Sequence, residues 1–166
     1  MISVMLLISI ATVLQHSGLG YNRKDFTMQL KIKNNELNDI INFLSELKLK
    51  NKASRGRTKL IKLMTTKITE YNEDLEEIRD PFLVHKNGER VVENEQYILK
   101  EGVDIVDLNK QLEELGKEKA VIMLDEYVEL IKVFKEALDN YAEDFSNRDA
   151  VIYDYLATEL EGVLND

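Results

Sequence analysis

The segments MQLKIK, residues 28–33, and KAVIML, residues 119–124, decide the fold of this chain. In the first, polar residues alternate with Met28, Leu30 and Ile32, which is the period of a half-buried β-strand. The second is a compact run of mostly apolar residues, long enough for one strand. The sequence therefore predicts that the two segments pair as a two-stranded ribbon.

Helical periodicity fills most of the sequence outside the ribbon, because apolar residues recur at spacings of three and four. Each such segment follows a residue that can cap a helix. The predicted helices begin at Asn34 or Asn35, at Ser54 or Thr58, at Asp107, at about Asp125 and at Ser146. The last helix is expected to turn four residues inward, namely Val151, Tyr155, Leu156 and Leu160.

The longest predicted helix runs to Arg79, where Asp80 and Pro81 end it. Its apolar residues are spaced 3, 4, 3, 4, 3, a seam typical of a helix that packs lengthwise on another: Ile61, Met64, Ile68, Tyr71, Leu75 and Ile78. A second heptad segment follows a polar connector, residues 80–104. The two segments predict an antiparallel helical hairpin.

Within the connector, Asn87-Gly88 lies between Val84 and Val91 and is typical of a type I′ β-hairpin. A disordered excursion is the alternative. Together the elements predict an α+β, mainly α fold: a four-helix bundle-like single domain with a long helical hairpin and a small ribbon.

Residues 1–14 are apolar over a span too short for a transmembrane helix, which needs about 20 residues. A signal peptide is the alternative, yet no Lys or Arg precedes the apolar run. Arg23-Lys24-Asp25 can be encoded by a purine run like a ribosome-binding site, a few codons before Met28. We therefore expect residues 1–27 to be an over-extended leader and 28–166 to be the single domain.

The composition excludes several classes of chemistry. The chain of 166 residues has no Cys, so disulfides, thiolate metal sites and cysteine nucleophiles are absent, and a reducing cytoplasm is the expected location. The net charge of −9 argues against a general affinity for nucleic acid or anionic membranes. The charge is uneven, since residues 28–68 carry ten Lys or Arg against three acids, and 69–166 carry ten against twenty-seven.

Catalytic and metal-binding patterns are sparse. The two histidines, His16 and His85, lie far apart, and His85 is expected to be a solvated hairpin residue. The carboxylate pairs Glu73/Glu77 and Glu113/Glu114 belong to amphipathic helices, where a solvated acidic face is the usual state. We therefore assign no catalytic, metal-binding or cofactor-binding residue and expect no cofactor.

One charged tract stands out by its density between Glu46 and Glu70. It contains seven candidate residues for binding nucleic acid or a protein partner, Lys48, Lys50, Lys52, Arg55, Arg57, Lys59 and Lys62, and is followed by Lys67. No aromatic residue is interleaved to stack on bases. An intramolecular match to the acidic half of the chain is the alternative interpretation.

The chain resembles a family of short, uncharacterised proteins encoded by phages and prophages of Gram-positive bacteria. The resemblance lies in three segments and their order, MQLKIKNNEL, EKAVIML and SNRDAVIYDYLATELE. The resemblance covers nearly all of residues 28–166. It implies a phage context, and with it the cytoplasm of a bacterial host as the location, and it brings no catalytic residues.

Three functions follow as hypotheses. The first is a non-enzymatic interaction or assembly factor with a protein partner or a second copy of itself, and no membrane partner. The second is a nucleic-acid-associated regulator that uses the basic tract. The third, least favoured, is a carboxylate-dependent enzyme that binds Mg²⁺.

Overall fold

The structure is a computed structural model that describes residues 27–165. The predictions made for the apolar start, and for His16, lie outside the described residues. Among the residues described, no helix is long and apolar enough to cross a membrane.

The described chain is mainly helical with short antiparallel strands, so the predicted α+β, mainly α class is confirmed. In chain order its elements are β1 (Gln29–Lys33), α1 (Leu37–Glu46), α2 (Asn51–Arg79), β2 (His85–Lys86), β3 (Glu89–Arg90), β4 (Val92–Glu93), β5 (Gln96–Tyr97), α3 (Ile105–Lys117), β6 (Lys119–Met123), α4 (Val128–Asp139) and α5 (Asn147–Leu164).

The predicted ribbon is confirmed, because β1 and β6 pair antiparallel with Leu30 opposite Ile122. Leu30 and Ile122 lie on the buried face, whereas Val121 and the polar residues between them face outward. The hydroxyl group of Tyr155 accepts a hydrogen bond of 3.2 Å from the backbone N–H of Lys33, which joins α5 to the ribbon. The ribbon thus closes one side of the helical core.

The core is a single apolar cluster made by the ribbon, α1, the first half of α2, α4 and α5. Helices α2 and α4 are in close contact at Gly56. A Cβ atom there would lie 2.3 Å from the carbonyl oxygen of Leu130 and 2.9 Å from Cβ of Phe134. Only a residue without a side chain allows this separation of the helices.

The predicted helical hairpin is also confirmed. The C-terminal half of α2 packs against α3, with the hydroxyl group of Tyr71 beside Gly116 and with Gln111 beside Ile78. These neighbours run in opposite directions along the two helices, so α2 and α3 are antiparallel.

Several predicted helix starts are wrong. Helix α2 begins at Asn51, so Ser54 and Thr58 lie inside it, and the Thr58 hydroxyl donates to the Ser54 carbonyl at 2.9 Å. The Thr58 hydroxyl thus bonds to the backbone inside the helix and does not cap its start. Helix α3 begins three residues earlier than predicted, because the side chain of Asp104, and not that of Asp107, accepts hydrogen bonds of 3.0 Å from the first turn.

The first and last helices show two further differences. Asn34 and Asn35 lie in a 3₁₀ turn before α1, and the Asn34 amide donates to the Leu115 carbonyl at 3.0 Å instead of capping α1. Helix α5 follows Ser146 as predicted, but Val151 is 70% exposed and Ile152 is buried in its place. The side chains four residues apart, Ile152, Leu156 and Leu160, form the buried stripe.

Candidate functional site

The basic tract lies on the loop between α1 and α2 and on the first half of α2. Three of its members have partners within the chain. Lys48 Nζ lies 3.3 Å from Glu143 Oε1, and a guanidinium nitrogen of Arg57 donates to the Leu47 carbonyl at the end of α1. The ammonium group of Lys59 lies 3.8 Å from the centre of the Tyr127 ring, in cation–π contact.

The other four candidate residues, Lys50, Lys52, Arg55 and Lys62, are exposed and make no ion pair with any residue that the structure describes. Within residues 27–165, an intramolecular match to the acidic half of the chain therefore holds for Lys48 but does not extend to these four. Positions 52, 55, 59 and 62 are spaced 3, 4 and 3, which places them on one stripe of α2. We call this stripe the basic stripe.

The same side of α2 continues past Thr66 with the opposite charge. Glu70, Glu73 and Glu77 follow at helical spacing and are all exposed. Glu70 Oε2 lies 2.6 Å from Lys67 Nζ of its own helix. We call these three residues the acidic stripe, since they extend the basic stripe along the same face.

The connector, residues 80–104, folds as a closed ring of backbone hydrogen bonds. Val91 N–H donates to the Val84 carbonyl at 2.8 Å, Ile98 N–H to the Val91 carbonyl at 3.1 Å, and Val84 N–H to the Ile98 carbonyl at 2.8 Å. These three residues are seven positions apart. The connector is therefore an ordered module within the described chain and not the disordered excursion that was the alternative.

Two hairpins project from this ring. Asn87-Gly88 joins β2 to β3 with positive φ at both residues, which confirms the predicted type I′ hairpin. Asn94-Glu95 joins β4 to β5 in the same way. The second hairpin was not predicted, because its turn lacks the glycine that marks a type I′ turn in a sequence.

A charge cluster fastens the connector to the end of α2, and we call it the Arg90 clip. Arg90 Nε donates to Asp80 Oδ1 at 2.6 Å, and a second guanidinium nitrogen donates to Glu76. His85 completes the clip, with Nε2 3.1 Å from Asp80 Oδ1 and Nδ1 3.0 Å from the Leu83 carbonyl. His85 is an exposed residue of the β2–β3 hairpin, as expected, and its ring in addition contacts Asp80.

The electrostatics of the clip follow from these contacts. The hydrogen bond from Arg90 holds the pKa of Asp80 below its ordinary value of 3.8, and the nearby His85 acts in the same direction. The hydrogen bond to Asp80 in turn raises the pKa of Arg90. Both groups are therefore charged at neutral pH. No local sequence pattern marks the clip, since Arg90 is ten positions from Asp80.

Apolar side chains are exposed mainly beside this module. Of the eight large hydrophobic residues that are exposed in the described chain, five lie between residues 92 and 106: Val92, Tyr97, Leu99, Ile105 and Val106. Val92 and Tyr97 are cross-strand partners, so their side chains leave the hairpin on the same face. Val106, on the first turn of α3, is 78% exposed. We call these five residues the apolar patch.

The carboxylate pairs have ordinary roles. Lys117 donates to Glu113 and holds the pKa of that carboxyl below its usual range, and Lys110 lies 3.8 Å from Glu114. Residues 27–165 contain no cluster of three or more His, Asp or Glu residues that would hold a metal ion.

Residues 28–164 match the model of a protein family described as "Protein of unknown function (DUF1617)", and the chain belongs to this family. No curated protein and no solved structure matches the chain.

Proposed function

We propose that this member of the DUF1617 family is a non-enzymatic phage or prophage protein that acts as an interaction or assembly factor by binding another protein. The observation that carries the proposal is the apolar patch beside the connector. Apolar groups in contact with water are a cost in a monomer, and their transfer into an interface contributes about 25 cal/mol per Å². Tyr97 is also a residue type enriched at the centres of protein interfaces.

The ordered backbone of the connector, which carries Val92 and Tyr97, also favours a role of the patch in binding. The ring of backbone bonds and the Arg90 clip hold Val92 and Tyr97 in place before any partner arrives. A surface that is already ordered loses less conformational entropy on association. The proposed phage context is supported by two segments, MQLKIKNNEL and SNRDAVIYDYLATELE, which resemble those of short proteins encoded by phages and prophages.

A matched pair of valine substitutions tests the proposal. Val106→Ser removes the most exposed residue of the patch, whereas Val151→Ser removes a side chain of similar exposure, 70% against 78%, on α5. The full chain and both variants are expressed with an affinity tag in host cells during infection, and co-purified proteins are quantified. We expect Val106→Ser to lose a phage protein that the unchanged chain and Val151→Ser both retain.

Either of two results would contradict the proposal. One is that no phage protein is enriched above a tag-only control. The other is that both valine variants lose the same protein equally, which would point to a general change in the fold and not to the patch. The order of genes adds an independent check, since a position among tail and lysis genes favours assembly.

A nucleic-acid-associated regulator is the second candidate, and the basic stripe favours it. Phosphate contacts would make binding fall steeply with salt. The acidic stripe weighs against this function, because a nucleic acid lying along α2 would meet Glu73 and Glu77 on the same face. Arg55→Glu is expected to abolish any shift of DNA or RNA at low salt, and the absence of a shift for the unchanged chain removes this candidate.

The third candidate, a carboxylate-dependent enzyme that binds Mg²⁺, has no specific observation in its favour. A thermal shift measured with and without divalent cations tests it, because an ion that binds only the folded chain raises its stability by RT ln(1 + c/Kd), where c is the concentration of the free ion.

A further inference from the structure

The exposed side of α2 carries opposite charges in its two halves, and the charges are arranged symmetrically. Arg55 and Glu77 lie eleven positions on either side of Thr66, Lys59 and Glu73 lie seven, and Lys62 and Glu70 lie four. Spacings of four, seven and eleven return to the same face of an α-helix. Every basic position of this set therefore has an acidic counterpart at the same distance from Thr66.

We propose that this side of α2 pairs with the same side of α2 in a second copy of the chain, antiparallel, about a two-fold axis through Thr66. In that arrangement Arg55 of one copy lies opposite Glu77 of the other, and Lys59 and Lys62 lie opposite Glu73 and Glu70. A two-fold axis repeats each pair, so three kinds of ion pair become six. Every cation of the pairing meets a carboxylate, and no like charges face each other.

The pairing fits the dimensions and exposure of the helix. Helix α2 has 29 residues and is about 44 Å long at 1.5 Å per residue. The apolar side of α2, with Leu60 and Met64, packs into the core, and Gly56 faces α4. The two charged stripes remain exposed except for Lys59, which is half-buried.

The three pairs are not equivalent within one chain. Lys59 already contacts the Tyr127 ring, and Glu70 already pairs with Lys67. Arg55 and Glu77 make no ion pair with the residues that the structure describes, so they have the most to gain from a partner. The two Arg55–Glu77 pairs, at the outer ends of the interface, are therefore expected to contribute most to the stability of the dimer.

A second copy explains the stripes better than a nucleic acid does. A nucleic acid matches only the basic half and is repelled by the acidic half, whereas another α2 matches both. This inference concerns a different face from the apolar patch, and it stands whether or not that patch binds a partner.

Charge exchange tests the pairing with the full chain. Sedimentation velocity at low salt is expected to show a dimer that dissociates as salt rises, since exposed ion pairs are screened. Arg55→Glu or Glu77→Arg places like charges at both ends of the pairing, and each is expected to raise the dimer dissociation constant about tenfold. The double variant Arg55→Glu/Glu77→Arg restores opposite charges and is expected to recover the dimer.

Lys50→Glu is the matched control, because Lys50 is exposed and unpaired in the described chain but precedes the stripe. It is expected to leave the dimer unchanged. The Glu77→Arg variant distinguishes a second copy of the chain from a nucleic acid as the occupant of this face. It weakens the dimer if the face pairs with itself, and it strengthens binding of a short DNA duplex if the face is a nucleic-acid site.

Three outcomes would overturn the inference. These are a chain that stays monomeric at low salt at every concentration reached, a double variant as weak as the sum of the two single variants, and an equal loss with Lys50→Glu. None of them affects the capture experiment with Val106→Ser, so failure of the pairing is distinguishable from failure of the proposed function.

Discussion

The two halves of α2 belong to parts of the molecule that are held together in different ways. The first half lies in a main body with the ribbon, α1, α4 and α5, where the buried apolar cluster is concentrated. The second half lies in a distal arm with the connector and α3. In the arm only three apolar residues are buried, namely Leu83, Leu108 and Leu115. The connector is fastened by hydrogen bonds and ion pairs, as in the Arg90 clip.

Most of the buried apolar residues therefore lie in the main body, whereas most of the exposed large apolar residues lie on the arm. The main body is built around one apolar cluster, whose burial does not depend on the charge of a side chain, so it is expected to unfold as one cooperative unit. The distal arm depends on exposed polar contacts and is expected to open locally at lower cost. The apolar patch lies on the arm, where the proposed protein partner would add the burial that the arm itself lacks.

Replacing one aromatic residue by alanine in each region shows the difference most strongly. Phe134→Ala removes a fully buried ring between α4 and α2 and is expected to cost about 3–5 kcal/mol of unfolding free energy. Tyr97→Ala removes a ring that is 49% exposed on the arm and is expected to cost less than about 0.5 kcal/mol. Urea denaturation followed by circular dichroism measures both. Equal losses would erase the distinction between the two regions.

Two glycine-to-alanine substitutions test how closely the helices of the main body are packed. Gly56→Ala places a Cβ atom 2.3 Å from the Leu130 carbonyl oxygen, so α2 and α4 must separate, at a cost of about 1–3 kcal/mol. Gly162→Ala meets no atom within 4 Å and is expected to stabilise α5 by about 0.5–1 kcal/mol through helix propensity. The same denaturation experiment gives both values. A stabilised Gly56→Ala variant would mean that the two helices are not in close contact.

Removing the clip is expected to affect the arm alone. Arg90→Gln takes away the charge that binds Asp80 and Glu76, and Lys86→Gln on the same hairpin is the control, since Lys86 makes no ion pair in the described chain. Hydrogen exchange at the backbone amides of Val84, Val91 and Ile98, which close the hydrogen-bonded ring of the connector, is expected to speed up only in Arg90→Gln. The exchange of Leu30 and Ile122 in the ribbon should stay slow. Uniform acceleration across the chain would contradict a separate arm.

Acid is expected to produce the smallest effect, and the sign follows from Asp80. Its pKa is lower in the folded chain than the ordinary 3.8, so its contribution to the clip is complete above that value. The contribution is lost as the pH falls through the lower folded pKa. The side-chain carboxyl carbon of Asp80, followed by nuclear magnetic resonance, should therefore titrate with a midpoint below 3.8. An equally low midpoint in Arg90→Gln would assign the lowered pKa to another group.

Residue patterns within single segments predicted most of the fold. The alternation in 28–33, the apolar run in 119–124 and the heptad seam of α2 predicted the ribbon and the helical hairpin. Helix starts were less accurate, because capping depends on which side chain reaches a free N–H. Asp104 and Asp107 both precede apolar residues, and only Asp104 accepts the first-turn N–H groups of α3.

The candidate surfaces were predicted in part. The basic tract is visible in the sequence, but its division into Arg57, which binds the end of α1, and Arg55, which is unpaired in the described chain, depends on where α1 ends in space. The clip and the apolar patch were missed for a related reason. Their residues meet through the two hairpins of the connector, and no fixed spacing along the chain marks them.

The types of the elements and the charge pattern along α2 could therefore be predicted from the sequence, because they depend on periodicity within a segment. The three-dimensional contacts were needed to show which cations have no partner among residues 27–165, how the connector closes on α2, and why position 56 must be glycine. Those properties depend on distances between residues far apart in the chain, such as Gly56 and Leu130, and local periodicity does not encode them.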